Sequence, residues 1–187
     1  TLDIDEYFDR MLEFCRMYAA EKHNMIVDIW QLITLFPKSR SYSLRPVAYC
    51  EGEFKPSRPV CGGNRSMVAV AANGNVFPCL QMSGYYESKN DILGNVKESG
   101  LRPLLQMGRY LAEVCTTVGE LAAKNEVCNA CPYFKYCAGG CRAIALTLTS
   151  DKMGIDLSKC LFFKKGYYQK TVETMGDWRN STPIQIV

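Results

Sequence analysis

The segment CNACPYFKYCAGGC, residues 128–141, carries four cysteines at the spacing C-x2-C-x5-C-x3-C. Thiols at this density are used by proteins for disulfide cross-links, for zinc sites or for iron–sulfur clusters. Gly139 and Gly140 lie between the last two of these cysteines. Because they have no side chains, they permit tight turns and leave backbone N–H groups able to point at a bound anionic group.

Disulfides and two-knuckle zinc sites both fit the sequence poorly. The chain has 187 residues and 48% hydrophobic composition, which is enough for a core without cross-links, and no signal peptide is visible at its start. Zinc sites commonly mix Cys with His, but His23 is the one histidine here and C-x2-C occurs once in the cysteine-rich segment. A zinc ion bound by four cysteines stays open as an alternative.

The charge and hydropathy patterns of the sequence give no support for binding to nucleic acid or for a membrane span. The net charge is +3, but Lys and Arg are scattered, so nucleic-acid binding is not supported. No apolar stretch approaches the ~20 residues that span a bilayer. We therefore expect a soluble cytoplasmic protein with reduced cysteines, and the opening TLDIDEYF, which lacks Met, suggests a piece of a longer protein.

The first third of the chain predicts one clear helix. Residues 3–20 have apolar side chains at helical spacing, with Asp3 and Glu6 resembling a capping box. Residues 24–36 are rich in Ile and Val and indicate a strand that runs into a short helix. The sequence does not decide which residues take which of these two forms. Pro37 ends the segment. Residues 39–61 contain three prolines and are predicted to be a loop or linker.

The middle of the chain predicts a β-hairpin. Two apolar runs in residues 66–79 flank Asn73–Gly74, a pair that favours the positive φ angles of a tight turn. Residues 100–124 are predicted to be helical. Further helices are predicted within residues 142–151 and 160–178.

Seven cysteines and one glycine carry a resemblance to a known family. Their pattern is Cys61-x12-Gly74-x4-Cys79, then Cys128-x2-Cys131-x5-Cys137-x3-Cys141, then Cys160. It resembles the signature of the SPASM domain, the C-terminal extension of many radical S-adenosylmethionine enzymes, including anaerobic sulfatase maturases and peptide maturases. The stretches NGNVFPC and ILGNVKESGLRPLL also resemble the hairpin and the turn-plus-helix of that family. The resemblance covers about residues 61–165.

The resemblance implies an α+β fold. It implies a small SPASM-type domain over residues 61–187, with a β-hairpin, cysteine-rich cluster-binding loops, flanking helices and a C-terminal helix. Residues 1–60 would then be a helix and strand remnant from the C-terminal end of a radical S-adenosylmethionine partial (β/α) barrel, followed by a linker.

The resemblance also implies two auxiliary [4Fe–4S] clusters. Cys61, Cys79 and Cys141 would hold the first, and its fourth ligand in fully ligated relatives is a cysteine just upstream, for which Cys50 is the candidate here. An open iron site facing the substrate is the alternative. The second cluster would be held by the remaining four signature cysteines, Cys128, Cys131, Cys137 and Cys160.

The implied function is to support a maturase by electron transfer or substrate binding. The radical-initiating C-x3-C-x2-C motif is absent, since Cys137 and Cys141 are followed by Ile144 at the third position. The chain alone is therefore not expected to cleave S-adenosylmethionine, which only the parent enzyme would use. The expected partners are a peptide or protein substrate and an electron donor such as ferredoxin or flavodoxin. A non-redox metal-binding module that binds a peptide or a partner domain is the alternative.

Other conspicuous residues receive structural interpretations. Cys15 and Cys115 are predicted to be small buried hydrophobes, each within a helix. Tyr133, Phe134 and Tyr136 are predicted to pack around a cluster, with contact to a substrate as the alternative, and His23 is predicted to be a polar surface residue after the first helix.

Overall fold

The computed structural model describes residues 3–29, 32–44, 55–61, 67–106 and 108–181. Within these ranges the chain is a mixed α+β protein with small sheets and many short helices, as the sequence predicts. No helix among them is both long enough and apolar enough to cross a membrane. That residues 1–60 derive from a barrel stays a prediction.

The strands of the described residues are all four residues long or shorter. They are β1 (Val27–Ile29), β2 (Ile33–Phe36), β3 (Ser41–Leu44), β4 (Ala69–Val70), β5 (Asn75–Phe77), β6 (Gly94–Asn95) and β7 (Arg179–Asn180).

The helices vary from one turn to nearly five turns. The α-helices are α1 (Ile4–Ala20), α2 (Leu80–Ser88), α3 (Val96–Ser99), α4 (Leu101–Gln106), α5 (Gly108–Val114), α6 (Val118–Lys124), α7 (Glu126–Asn129), α8 (Phe134–Cys137), α9 (Arg142–Thr149), α10 (Leu157–Lys164) and α11 (Tyr167–Met175), and one turn of 3-10 helix spans Pro37–Ser39.

The chain forms two compact units, called unit 1 and unit 2 here. Unit 1 comprises Thr1–Phe54, Cys131–Ala138 and Leu157–Val187, and unit 2 comprises Lys55–Ala130 and Gly139–Asp156. The domain boundary predicted between residues 60 and 61 rests on the family resemblance and not on which residues pack into one compact unit. It stays a prediction.

Unit 1 contains a four-stranded sheet in the order β1-β2-β3-β7, in which β1, β2 and β3 are antiparallel neighbours and β7 runs parallel to β3. The sequence leaves strand and short helix open over residues 24–36, and the structure has strands there, because β2 pairs with both neighbours and buries Ile33 and Leu35. The predicted loop over residues 39–61 is wrong in its first part, where β3 buries Tyr42. Pairing with β2 and β7 decides its structure, because propensity is weak over four residues.

Helix α1 is the main apolar partner of α11 in unit 1. Asp3 caps it by accepting a hydrogen bond from the Asp5 N–H, so the predicted N-cap is present, but the bond does not go to Glu6, the partner predicted in a capping box. The Phe8 ring lies 4.7 Å from the Tyr167 ring, measured between centroids. The predicted burial of Cys15 is confirmed, since its side chain has 0% exposure. His23 follows α1 and is partly exposed, in agreement with the prediction, and its ring stacks on Tyr18 at a centroid distance of 4.3 Å.

Unit 2 contains the predicted hairpin, with β5 at the centre of the sheet β4-β5-β6. The turn differs from the predicted two-residue form. The Gly74 N–H donates to the Ala71 carbonyl oxygen and the Ala71 N–H donates to the Asn75 carbonyl oxygen, so the loop is longer. Of the pair predicted to have positive φ, only Gly74 does, at φ +95°, as in a turn followed by a bulge.

Gly74→Ala should destabilise unit 2 by about 1–3 kcal/mol, because a side chain is strained at this φ and its Cβ would lie 2.6 Å from the Asn95 Oδ1 atom. Gly84→Ala is the matched control. It lies inside α2 with open space around it, so the same substitution should stabilise the protein by about 0.5–1 kcal/mol. Urea unfolding of both variants measures the difference. Equal effects would contradict the assigned turn.

Cys15→Ala should destabilise the protein less at pH 11 than at pH 8. Burial raises the pKa of the Cys15 thiol to about 12 from an ordinary value near 9. Above pH 9 the unfolded chain ionises this thiol while the folded chain does not, so the contribution of Cys15 to stability falls as pH rises toward 12. Denaturant unfolding of wild type and variant under reducing conditions at both pH values checks this. A difference in stability that is independent of pH would contradict the assigned burial.

Candidate functional site

Cys79 begins helix α2 in unit 2. The hairpin ends at Phe77, Pro78 follows, and the extended backbone of Cys79 (φ −157°) makes it the N-cap residue. Burial raises the pKa of its thiol, whereas the Met82 and Gln81 backbone N–H groups lower it. These N–H groups face the sulfur without forming a cap hydrogen bond of normal geometry. The thiol therefore lies at the positive end of a helix, where a thiolate is stabilised.

Cys141 begins helix α9 in the same manner. Its backbone is extended, and the Ile144 and Ala143 backbone N–H groups lower the pKa of its thiol against the larger effect of burial, which raises it. The chain approaches Cys141 through Gly140 at φ +76°. An added Cβ at Gly140 would lie 2.4 Å from the Asp156 Oδ2 atom, so glycine is required for this close approach.

Asp156 holds the backbone at Cys141. Its side chain has 2% exposure, and Oδ2 accepts a hydrogen bond from the Cys141 N–H at 2.7 Å. Its carboxylate also contributes to the raised pKa of the Cys141 thiol. The sequence contains no pattern that identifies this residue, because it is one carboxylate in a loop 15 positions after the cysteine it contacts.

Arg142 fixes the loops on either side of α9. Its buried guanidinium donates from Nη1 to the carbonyl oxygens of Lys152 at 2.8 Å and Gly154 at 2.9 Å. Its Nη2 atom donates to the carbonyl oxygen of Gly139. One cation therefore ties the glycine pair before Cys141 to the turn after α9.

Packing of α2 against α9 brings the two cysteine-capped helices together. Phe77, Met82 and Tyr86 form one apolar cluster with Cys141 and Leu146, and Cys79 packs at its edge. The half-buried Cys61 thiol raises the pKa of both Cys79 and Cys141, so all three thiols share one electrostatic neighbourhood. These are the three cysteines that the resemblance assigns to the first cluster.

The donor set in this neighbourhood has the chemistry of a soft-metal site. Thiolates are the ligands of iron–sulfur clusters and of structural zinc, and two of the three here lie at helix N-termini. Within the part of the chain that the structure describes, no three His, Cys, Asp or Glu side chains are closed into a metal-holding group. The thiols are neighbours rather than a finished coordination sphere, and their role as ligands stays a prediction.

The four cysteines assigned to the second cluster are divided between the units. Cys128 belongs to α7 of unit 2, where its backbone N–H donates to the Asn125 Oδ1 atom at 3.0 Å. The other three belong to unit 1. There Cys131 precedes α8, Cys137 ends it, and Cys160 lies on α10, which contacts α8. Their common role as ligands stays a prediction.

Two further expectations for cysteines have different outcomes. Cys50 lies outside the described residues, so its assignment as a ligand stays a prediction. Cys115 was expected inside a helix, but α5 ends at Val114 and Cys115 follows it, half-buried. The predicted helix over residues 100–124 is interrupted here because Thr117 caps α6 through a reciprocal bond with Glu120.

The aromatic residues of the cysteine segment pack within unit 1. The Tyr133 ring stacks on Phe163 of α10 at a centroid distance of 5.7 Å, and Phe134 is buried. Tyr136 is also buried, and the Lys135 ammonium lies 4.9 Å from its ring centroid. These contacts agree with a packing role.

Comparison with protein families gives a match for part of the chain. The family model of SPASM, an iron–sulfur cluster-binding domain, matches residues 61–132. This is less than half of the chain and is shorter than the resemblance over residues 61–165. The matched range includes Cys61, Cys79, Cys128 and Cys131, whereas Cys137, Cys141 and Cys160 lie beyond it. No curated protein and no solved structure matches the chain.

Asp156→Ala should destabilise the metal-free protein by about 1–3 kcal/mol, because it leaves the Cys141 N–H without this buried acceptor. Asp156→Asn retains an acceptor oxygen in a side chain of the same shape, so it should destabilise the metal-free protein less than Asp156→Ala does. Urea unfolding of the metal-free variants under reducing conditions gives both values. If alanine and asparagine cost the same, the hydrogen bond to Cys141 is not what Asp156 contributes.

Proposed function

We propose that this chain binds iron–sulfur clusters and acts as the auxiliary cluster domain of a radical S-adenosylmethionine maturase. One observation carries the proposal. Two packed helices of unit 2 each begin at a cysteine, and the Cys61 thiol acts electrostatically on both. The match of residues 61–132 to an iron–sulfur cluster-binding domain supports this interpretation of the thiols.

The surroundings of these thiols suit an anionic, multi-sulfur group. The backbone N–H groups after Cys79 and Cys141 lower the pKa of these two thiols. The same groups would stabilise the negative charge of a thiolate or of a bound sulfide. Burial raises the pKa of both thiols, so a metal must displace their protons, and the positive charge of the metal then compensates the thiolate charge that burial disfavours. Zinc bound by thiolates satisfies part of this chemistry and is separated from iron–sulfur binding by experiment below.

The residues of the chain would hold and orient the bound group. Asp156 and Arg142 fix the loop at Cys141, and the hairpin and Pro78 fix Cys79. When bound, clusters of this kind accept and release single electrons. We propose that they exchange electrons between a substrate and a donor such as ferredoxin or flavodoxin.

The parent reaction belongs to the same proposal. The sequence lacks the C-x3-C-x2-C motif, so the radical-generating cluster and S-adenosylmethionine would be bound by another domain of the parent enzyme. The substrate would be a peptide or protein modified in the cytoplasm. Two [4Fe–4S] clusters are proposed, the second on the set Cys128, Cys131, Cys137 and Cys160.

Anaerobic reconstitution of the full chain with ferrous iron and sulfide should give a brown protein with about eight irons and eight sulfides, because two cubanes are proposed. Iron and sulfide assays with electron paramagnetic resonance of the reduced protein measure this. Reconstitution with zinc alone is the control. A colourless protein that takes up stoichiometric zinc and no sulfide would support the non-redox module instead.

A further inference from the structure

Cys115 lies on a backbone segment that pairs with the segment before Cys61, and both belong to unit 2. The Val60 N–H donates to the Thr116 carbonyl oxygen at 2.9 Å, and the Val118 N–H donates to the Arg58 carbonyl oxygen at 2.9 Å. Between these bonds Pro59 and Thr117 form an antiparallel bridge. The two segments therefore run side by side in a defined register.

Continued by two residues, this register would bring Cys61 and Cys115 together. In an antiparallel pair each step forward along one segment is a step back along the other, so from the bridge at Pro59 and Thr117 the position opposite Cys61 would be that of Cys115. Directly opposite residues have Cβ atoms about 4.5–5.5 Å apart. Side chains also alternate between faces, and this agrees with burial: Val60 and Thr116 are buried, whereas both cysteines are half-buried.

The same thiol and that of Cys79 both lie near Tyr110. Tyr110 is buried, and its hydroxyl donates to the Met67 carbonyl oxygen at 2.9 Å, which fixes the position of the phenol ring. Apart from burial, the groups that raise the pKa of Tyr110 are the thiols of Cys115 and Cys79. A phenol held in one place is therefore within electrostatic reach of both cysteines.

The position of Cys115 is fixed from both directions along the chain. Its backbone N–H donates to the Leu111 carbonyl oxygen at 2.9 Å at the end of α5. Two residues later, Thr117 caps α6, and the Thr117 N–H donates to the Glu120 Oε2 atom at 2.8 Å. A thiol on so short and anchored a segment is pre-organised for ligation.

We propose that Cys115 is the fourth thiolate ligand of the cluster assigned to Cys61, Cys79 and Cys141. This proposal rests on the proposed function, and it replaces Cys50, which was chosen by its place in the linear sequence. A [4Fe–4S] cubane takes four thiolates, and besides Cys128, which is assigned to the other cluster, unit 2 supplies four cysteines from segments fixed by pairing or helix capping. Ligation exchanges the thiol proton for an iron–sulfur bond without changing the oxidation state of the cysteine sulfur.

The first test uses the wild-type chain. Protein reconstituted with iron and sulfide, and the same protein without them, are treated anaerobically with N-ethylmaleimide, and labelling is measured by peptide mass spectrometry. Cluster loading should slow labelling of Cys115 at least about tenfold, in parallel with Cys61, because a metal-bound thiolate is no longer a nucleophile. Labelling of Cys50 should not change. Cys15, with 0% exposure, should stay unlabelled in both samples and so reports that the fold is intact.

The second test compares Cys115→Ser with Cys50→Ser after reconstitution. The spectrum of one cluster in the reduced protein should change in Cys115→Ser and stay unchanged in Cys50→Ser, since serine replaces a soft ligand with a hard one. A loaded wild-type protein whose Cys115 labels at the unloaded rate, or an altered spectrum in Cys50→Ser alone, would overturn the assignment. If Cys115→Ser fails to fold, labelling of the wild type decides.

Failure of the proposed function gives a different result. A wild-type chain that binds no iron and sulfide removes the cluster and the ligand role of Cys115 together. Iron and sulfide bound in full, with Cys115 still reactive, removes only the ligand role. Iron and sulfide assays on the labelled samples therefore distinguish the two failures.

Discussion

Packing of α2 against α9 in unit 2 fixes two helix N-termini, and each of these helices begins at a cysteine. The cysteines are far apart in sequence, and a buried apolar contact holds them near each other. Phe77 is 1% exposed, follows directly from the hairpin and packs in the cluster that contains Cys141. The positions of the hairpin, of Cys79 and of the loop tied by Arg142 all depend on this contact. Apolar packing therefore sets the positions of the Cys79 and Cys141 thiols, and the nearby backbone N–H groups and the Cys61 thiol then change their pKa values.

Patterns in the sequence predict the elements whose cause is local. Helix α1 has a stripe of apolar residues and a capping Asp3, and the hairpin has a glycine where positive φ is required, so both are predicted well. Strand β3 is missed because its conformation comes from pairing with β2 and with β7 near the other end of the chain. Asp156 is missed for the same reason, since its role is a hydrogen bond to a residue that no spacing rule connects to it.

The contrast between Cys50 and Cys115 shows this limit at the candidate site. Linear order places the missing ligand upstream of Cys61, and Cys50 is the candidate in that direction. Backbone pairing selects by register instead, and continuing the register of the bridge between Pro59 and Thr117 by two residues leads from residue 61 to residue 115. A half-buried thiol outside any helix differs from Cys15, which is fully buried on α1. Exposure therefore separates two cysteines that look equivalent in the sequence.

The way these thiols are held affects how binding couples to folding. Bringing ligands from distant segments together costs loop-closure entropy, and in many small metal sites the metal supplies the free energy that offsets it. In unit 2 the segments are instead positioned by backbone hydrogen bonds at Val60 and Thr116, by the cap at Thr117 and by the packing around Phe77. These contacts therefore meet part of the closure cost. What is left for a bound cluster is to displace the thiol protons and draw the sulfur atoms into one coordination sphere.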